Sequence, residues 1–544
     1  MNRLVFLAVN ASYSHTSLAA LRLRGVADPA AWEWTTLETA VADSRDSMLE
    51  RVLALKPDVL AATFYLFNRE WLTAFLVRFR KLSPRTVVIG GGPEWLGNAA
   101  GFFQPLSLVD AGVRGDGELA FRQWLPVWDR PAAWGAIPGL IRWEEGRVQD
   151  PGNGAECPSS ADIPLLDARL FQDFSKPFMQ METSRGCRGG CLFCTSSGGG
   201  LREFPLDRVK AELEIIHAAG IRDVRVLDRT FNEEEARSLA LLDVFRETGA
   251  GIRFHLEIDP ARVTAGLADS LRRFRPGLLH VEAGVQSLDE EVMRQSGRRG
   301  SPAAVLEGLR LLLGVWGLEV HADLVAGLPG SSWAGLKQDL TLLTLLGVSE
   351  IQLEILKMLP GTRLEALRER LGLAASPAPP YEVLRTPAFS AEELWRTARV
   401  SRVVDGFHNH PALRALTRKA CMMIPDFWAT LTDAVYAKGE VREGLSLRAR
   451  FRIFKAYLKE KQPALVPELI DGWYRGDYGI DEELAPARLW RGALPEGVSA
   501  VEPGEGPFDR VVAVEDPPAR YYAFKIEASG KKRLAAVFAR SANT

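Results

Sequence analysis

Short, nearly continuous apolar runs separated by amphipathic stretches mark the first quarter of the chain. Leu4–Val9, Val59–Thr63 and Thr86–Ile89 read as strands buried on both faces; Trp71–Lys81 reads as an amphipathic helix, and another begins over Ser17–Leu23. Strand and helix alternating at this spacing predict an α/β domain with a parallel, doubly wound sheet over residues 1–130. Ligands of such sheets sit beyond the carboxyl ends of the strands, here the loops 10–16, 65–68, 90–95 and 114–118.

Residues 131–172 are rich in Pro, Gly and charge, with a hairpin-like stretch around 139–148, and read as a linker. Strand followed by helix then recurs about six times over 173–365, with strands at Phe178–Thr183, Val224–Leu227, Ile252–Ile258, Leu278–Gly284, Glu319–Val325 and Ile351–Leu356. That repeat predicts a parallel barrel or part-barrel with its chemistry at the carboxyl ends. Three of these strands have unlike faces. Arg253, His255, Glu257 and Asp259 share one face; so do His280, Glu282 and Gln286, and so do Glu319, His321 and Asp323. The apolar faces must meet the helices, so the polar ones point into the lumen. A polar lumen either pairs with itself in a salt-bridge network or binds something.

Residues 366–390, rich in Pro and Ala, read as a second linker, 391–495 as helical, and 510–538 as a terminal hairpin (Arg510–Val514, Tyr521–Ile526) with a further strand, Arg533–Phe538. The third region is therefore a mainly helical domain over 391–544. A chain of 544 residues with 47% hydrophobic and 25% charged residues is ordinary for globular domains, and a formal net charge of −2 gives no global pull toward nucleic acid or acidic lipid. Neither a signal-peptide pattern nor a stretch of about 18 apolar residues is present, so the expectation is a protein without a membrane span.

Five cysteines do not make a disulfide framework, which suggests a reducing compartment and a metal centre. Cys187, Cys191 and Cys194 fall in C-x3-C-x2-C spacing within a Gly-rich loop after a predicted strand, while Cys157 and Cys421 stand alone. Three local thiolates fit an iron–sulfur cluster with one open iron. A zinc site completed by a distant fourth ligand is the alternative at the level of spacing.

With Phe193 before the third cysteine, this segment resembles the signature of the radical S-adenosylmethionine (SAM) superfamily. The resemblance continues through Val226–Asn232, Val281–Ser287, Asp323–Gly330 and Leu359–Leu364. It implies a (β/α)6-type partial barrel, a [4Fe–4S] cluster on the three cysteines, and SAM chelating the open iron. Phe193, Glu257, Glu282, Gln286 and Ser287 are the SAM-binding residues it implies. The first domain is similar to the cobalamin-binding domain of the B12-dependent branch, through Pro57–Thr63, Val88–Glu94 and Val109–Glu118. Ser12, Tyr13, His15, Thr63, Gly91, Gly92, Glu94, Gly115 and Glu118 are the implied cobalamin-binding residues. No D-x-H-x-x-G follows the first strand, so a histidine ligand below cobalt is not implied, and His15 has the wrong spacing for one. The Tyr13–Ser17 opening and the helical tail resemble a subfamily whose tail is uncharacterised.

The resemblance implies a radical SAM enzyme, a cytoplasmic cobalamin-dependent methyltransferase acting at an unactivated carbon of a small molecule or peptide. An electron donor such as flavodoxin or ferredoxin is implied as partner. A cobalamin-dependent rearrangement or ring closure without methyl transfer is the alternative within the class. A cobalamin-binding sensor or scaffold with a silent barrel is the alternative outside it. No catalytic residue is assigned.

Overall fold

The protein is seen in a computed structural model that describes every residue except 98, 104–106, 153, 155, 158, 172–173, 438, 440–443, 492, 496–497, 503–507, 516–518, 528–530 and 541–544, and of residue 540 only the backbone. The chain forms two compact units, residues 1–333 with 355–394, and residues 334–354 with 395–544.

The first unit opens on β1 (Asn2–Asn10), α1 (Leu18–Arg24), β2 (Trp32–Ala40), α2 (Arg45–Leu55), β3 (Val59–Thr63), α3 (Arg69–Leu82), β4 (Val87–Gly91), β5 (Ala111–Val113), α4 (Gly117–Trp124), β6 (Leu140–Glu144) and β7 (Arg147–Gln149). The sheet order is β2-β1-β3-β4-β5-β6-β7. Strands β1 to β5 are parallel, and β6 and β7 add antiparallel to the β5 edge. The apolar run in β1 has a simple cause. Leu4, Phe6 and Ala8 pack with Phe121 and Trp124 on one face, while Val5, Leu7 and Val9 pack with Leu72, Phe75 and Phe79 on the other. Residues 140–149 are therefore part of this sheet. The expectation of a linker over all of 131–172 is corrected, because β6 satisfies the backbone of β5 that would otherwise be an open edge. Strand β2 escaped the sequence reading because it lies at the edge and alternates Trp, Glu and Thr, so it carries no apolar run.

The barrel part of the same unit follows with β8 (Met179–Met181), β9 (Ser184–Cys187), β10 (Gly200–Glu203), α5 (Leu206–Ala218), β11 (Asp223–Val226), α6 (Glu235–Thr248), β12 (Arg253–Ile258), α7 (Ala265–Leu271), β13 (Leu279–Gln286), α8 (Glu290–Gln295), α9 (Pro302–Leu313) and β14 (Glu319–Ala326). Parallel pairing runs β8-β11-β12-β13-β14. Burial alternates strictly along β12 and β13, with the apolar face buried and the polar face partly open, as the alternation predicts. The sixth strand marked from the sequence forms as Glu350–Ile355, at the boundary of the two units. Residues 366–390 hold a short antiparallel pair, Ala374–Ala375 with Val383–Arg385. Tyr381 there donates its hydroxyl to Glu94 at 2.6 Å, so this stretch is anchored rather than a free linker.

In the second unit the helix Trp333–Leu346, from residue 334 on, groups with the tail helices Pro411–Met423, Phe427–Tyr436, Leu447–Lys461 and Val466–Arg475. The Trp428 indole donates to buried Thr344 at 3.1 Å. Where a terminal hairpin was expected, a five-stranded antiparallel sheet forms from Ala487–Trp490, Val498–Glu502, Arg510–Val514, Arg520–Ile526 and Lys532–Arg540. Among the described residues no helix is long and apolar enough to cross a membrane.

Candidate active site

The cysteine loop hangs from the antiparallel pair β9–β10, where Cys187 faces Gly200. Gly186, at φ 86°, lets the two strands close, since a Cβ there would lie 2.0 Å from the Gly200 carbonyl oxygen. The loop is tied at its middle: Leu192 donates to Ser296 and accepts from Leu364 through main-chain bonds of 2.9 Å. The three sulfurs are partly open and line one cavity of about 210 Å³. The Gly189 N–H donates to Cys187 Sγ at 3.2 Å and the Ser196 N–H to Cys194 Sγ at 3.4 Å. Burial pushes the Cys191 thiol up, and the nearby Arg298 guanidinium opposes that. Among the described residues no three His, Cys, Asp or Glu side chains converge to hold a single metal ion. The sulfurs surround a space and receive N–H donors, which fits thiolates around a multi-atom cluster. Cys157 and Cys421 are buried elsewhere with thiols pushed up to about 11 by burial, so they stay protonated.

Across the cavity stand Phe193, Glu257, Glu282 and Gln286, four of the five residues expected at SAM. The fifth, Ser287, does not line it: it is buried and its Oγ accepts the Asp289 N–H at 3.1 Å, a turn contact. A register shift between Ala283 and Gln286 and a φ of 65° at Gln286 end β13 at the cavity. Below lies the polar lumen. His255 Nε2 is 3.0 Å from Glu282 Oε2, His255 Nδ1 is 2.7 Å from His280 Nδ1, and the His280 and His321 rings stack at 5.9 Å. The His255 bond holds the Glu282 carboxyl below its usual range, while burial and then Glu282 push Asp323 up to about 9. Burial and the neighbouring histidines push His280 down to about 3, so it is neutral. Glu257 is raised by burial. Both sequence alternatives thus hold at different depths: the lower lumen pairs with itself, and its upper carboxylates line a cavity.

A larger cavity of about 410 Å³ lies between the carboxyl ends of the first sheet and the β8–β9 side of the barrel, within the first unit. Thr63, Gly91, Gly92, Gly115 and Glu118 line it as expected. A Cβ on Gly91 would meet only the Val113 carbonyl oxygen, at 3.9 Å, so this glycine leaves real space for a ligand. Glu118 is committed to Arg185 at 2.7 Å. Four expected residues do not line the cavity. Ser12 Oγ is bonded to His15 Nδ1 at 3.0 Å, and the His15 ring sits edge-on to Phe178 at 5.1 Å. Tyr13 is exposed under the Lys176 ammonium. Glu94 is buried between Arg69 and Tyr381. The short polar side chains after β1 close their own turn, which spacing does not reveal.

Sequence reasoning missed Tyr65, Arg185, Arg229 and Arg298 as lining residues, and gave Asp323 a lumen-facing direction without placing it at the SAM cavity. Tyr65 lay in a loop the strand-end rule had already marked, Arg185 two residues before Cys187, and Arg229 inside a segment quoted for the resemblance; their side-chain directions needed the fold.

Residues 181–343 match the radical SAM superfamily, and residues 369–490 match a protein family of unknown function. The match places a radical SAM domain over residues 181–343. It is 25% identical over 295 residues to an uncharacterized methyltransferase of Pyrococcus horikoshii, covering 52% of this chain and 63% of that protein. It is 30% identical over 194 residues to the cobalamin-dependent radical SAM methyltransferase TokK of Streptomyces tokunonensis, covering 32% of this chain and 28% of the relative. The chain thus spans less than two thirds of either relative. Its fold is that of the cobalamin-dependent SAM radical enzyme OxsB, whose structure with aqua-cobalamin and SAM superposes with a TM-score of 0.63 at 13% identity, over 88% of this chain and 81% of that one.

Proposed function

We propose that the protein is a cobalamin-dependent radical SAM methyltransferase that alkylates an unactivated carbon. One observation carries the reading: the thiol-lined cavity and the larger glycine-walled cavity meet at a shared residue, Arg229. A radical source and a methyl donor need that adjacency. Cys187, Cys191 and Cys194 would hold the cluster, with Phe193, Glu257, Glu282 and Gln286 around SAM. Thr63, Gly91, Gly92 and Gly115 would face cobalamin. When bound, the cluster with SAM supplies hydrogen abstraction, and cobalamin supplies the methyl group.

The chain's own residues supply placement. Glu282, kept ionised by His255, offers an acceptor to hydroxyl or ammonium groups, and Asp323 beside it carries a proton and can donate. Asp228 is buried and accepts from the N–H and hydroxyl groups of both Thr183 and Ser184, which fixes the loop between the cavities. A reducing cytoplasm and a flavodoxin- or ferredoxin-type donor complete the proposal.

The test uses anaerobically reconstituted protein, dithionite, methyl-13C SAM and small-molecule extract. A product one mass unit heavier supports methyl transfer. 5′-Deoxyadenosine without label indicates a rearrangement, and absence of 5′-deoxyadenosine removes the enzyme reading.

A further inference from the structure

We infer that Arg229 is the anchor for an oxyanion on the substrate, a carboxylate or a phosphate, so that the substrate class is anionic. The inference rests on the two-cavity reading above. Among the described residues Arg229 alone lines both cavities. Its side chain is 53% exposed, and among the described residues its one ion pair is a long approach of 3.8 Å to Glu257. Burial raises Glu257, and Arg229 opposes that shift.

The other cations around the two cavities are engaged. Arg22 grips Glu212 with bonds of 2.5 and 2.8 Å, and Arg185 takes Glu118 and Glu182. Arg298 donates to the Gly284 carbonyl at 2.5 Å, and Arg262 and Arg299 donate to the Glu233 and Arg188 carbonyls. The acids of the larger cavity are matched as well: Asp116 by Arg185 and Arg202, Glu118 and Glu182 by Arg185.

The backbone that presents Arg229 is held while its side chain is not. Asp228 before it accepts four bonds, and Asn232 after it exchanges bonds of 2.9 and 2.8 Å with the Asp259 backbone. A fixed backbone carrying an open guanidinium is a preorganised fork for a carboxylate or phosphate. An anion seated there would place the attached carbon between the radical side and the methyl side. The competing occupant is the carboxylate of SAM itself.

The test takes Arg229→Met and Arg229→Lys beside wild type, each reconstituted with cluster and cobalamin and matched for iron content and Tm. Extract is split on an anion exchanger into retained and flow-through pools, and each pool is added with methyl-13C SAM and dithionite. The retained pool is expected to raise 5′-deoxyadenosine formation by wild type. In Arg229→Met that rise should fall at least about tenfold, the loss of one charged bidentate contact, with partial rescue by guanidinium chloride. SAM affinity by equilibrium dialysis should stay within about twofold. The inference is overturned by stimulation from the flow-through pool alone, by no stimulation from either, or by an unchanged response in Arg229→Met. It is also overturned by a tenfold loss of SAM affinity, which would give Arg229 to SAM. Stimulation without label in any product would sink methyl transfer while leaving the anchor standing.

Discussion

At the scale of single residues, two neighbouring glycines do different jobs. Gly92, at φ 97°, would put a Cβ 2.7 Å from the Phe64 carbonyl oxygen, so its role is in the backbone. Gly91→Val should leave the melting temperature nearly unchanged and weaken cobalamin uptake, read from the corrin absorbance. Gly92→Val should lose stability by roughly 1–3 kcal/mol from strain alone. Equal melting temperatures for the two variants would refute this division. Arg22 and Glu212 are each about 1% exposed and bonded twice. Glu212→Ala strands a buried guanidinium, for a loss of about 3–5 kcal/mol by urea denaturation. Arg22→Met with Glu212→Leu should recover most of it. His280 is pushed from 6.5 down to about 3, so the unfolded chain takes up a proton on it that the folded chain refuses. Its contribution is full above about 6.5 and drains away as the pH falls toward about 3. The drop in Tm from pH 7 to pH 4 should therefore be smaller in His280→Gln. The three cysteines and the glycines at the strand ends were legible because their chemistry is local. Ser12, His15 and Glu94 were not, because a polar side chain finds its partner through the fold.

Among elements, the strands buried on both faces and the alternating barrel strands could be read directly. Strand β2 could not, since an edge strand carries mixed faces, and the hairpin around 139–148 could be read without its place at the edge of the first sheet. Ile141 is fully buried, and β6 covers β5, so a fragment ending at residue 130 leaves a bare parallel edge. A fragment of residues 1–150 should be monomeric by gel filtration where 1–130 aggregates. Comparable behaviour of the two would mean the hairpin is dispensable.

For the whole molecule, the two cavities separate the two chemistries. Cys187, Cys191 and Cys194 lie around one cavity, and Gly91 lies in the other. Replacing all three cysteines by Ala should abolish the roughly four irons of one cluster while corrin uptake persists. Retained iron would remove the cluster assignment. The tail's helical character was legible, but its membership was not: the helix from residue 334 on belongs to it by packing, through contacts such as Trp428 with Thr344, which no local pattern announces.

That membership has a genetic consequence. The chain passes from one unit to the other after residues 333, 354 and 394, so the second unit is sewn from two separated stretches. A recombination event joining a complete tail to the end of a finished barrel would deliver the stretch from 395 onward without residues 334–354, and the newcomer would arrive missing one of its own core helices. A tail is therefore expected to fold fully only where residues 334–354 accompany residues 395 onward. A swap of tails between relatives will work only if that stretch travels with them.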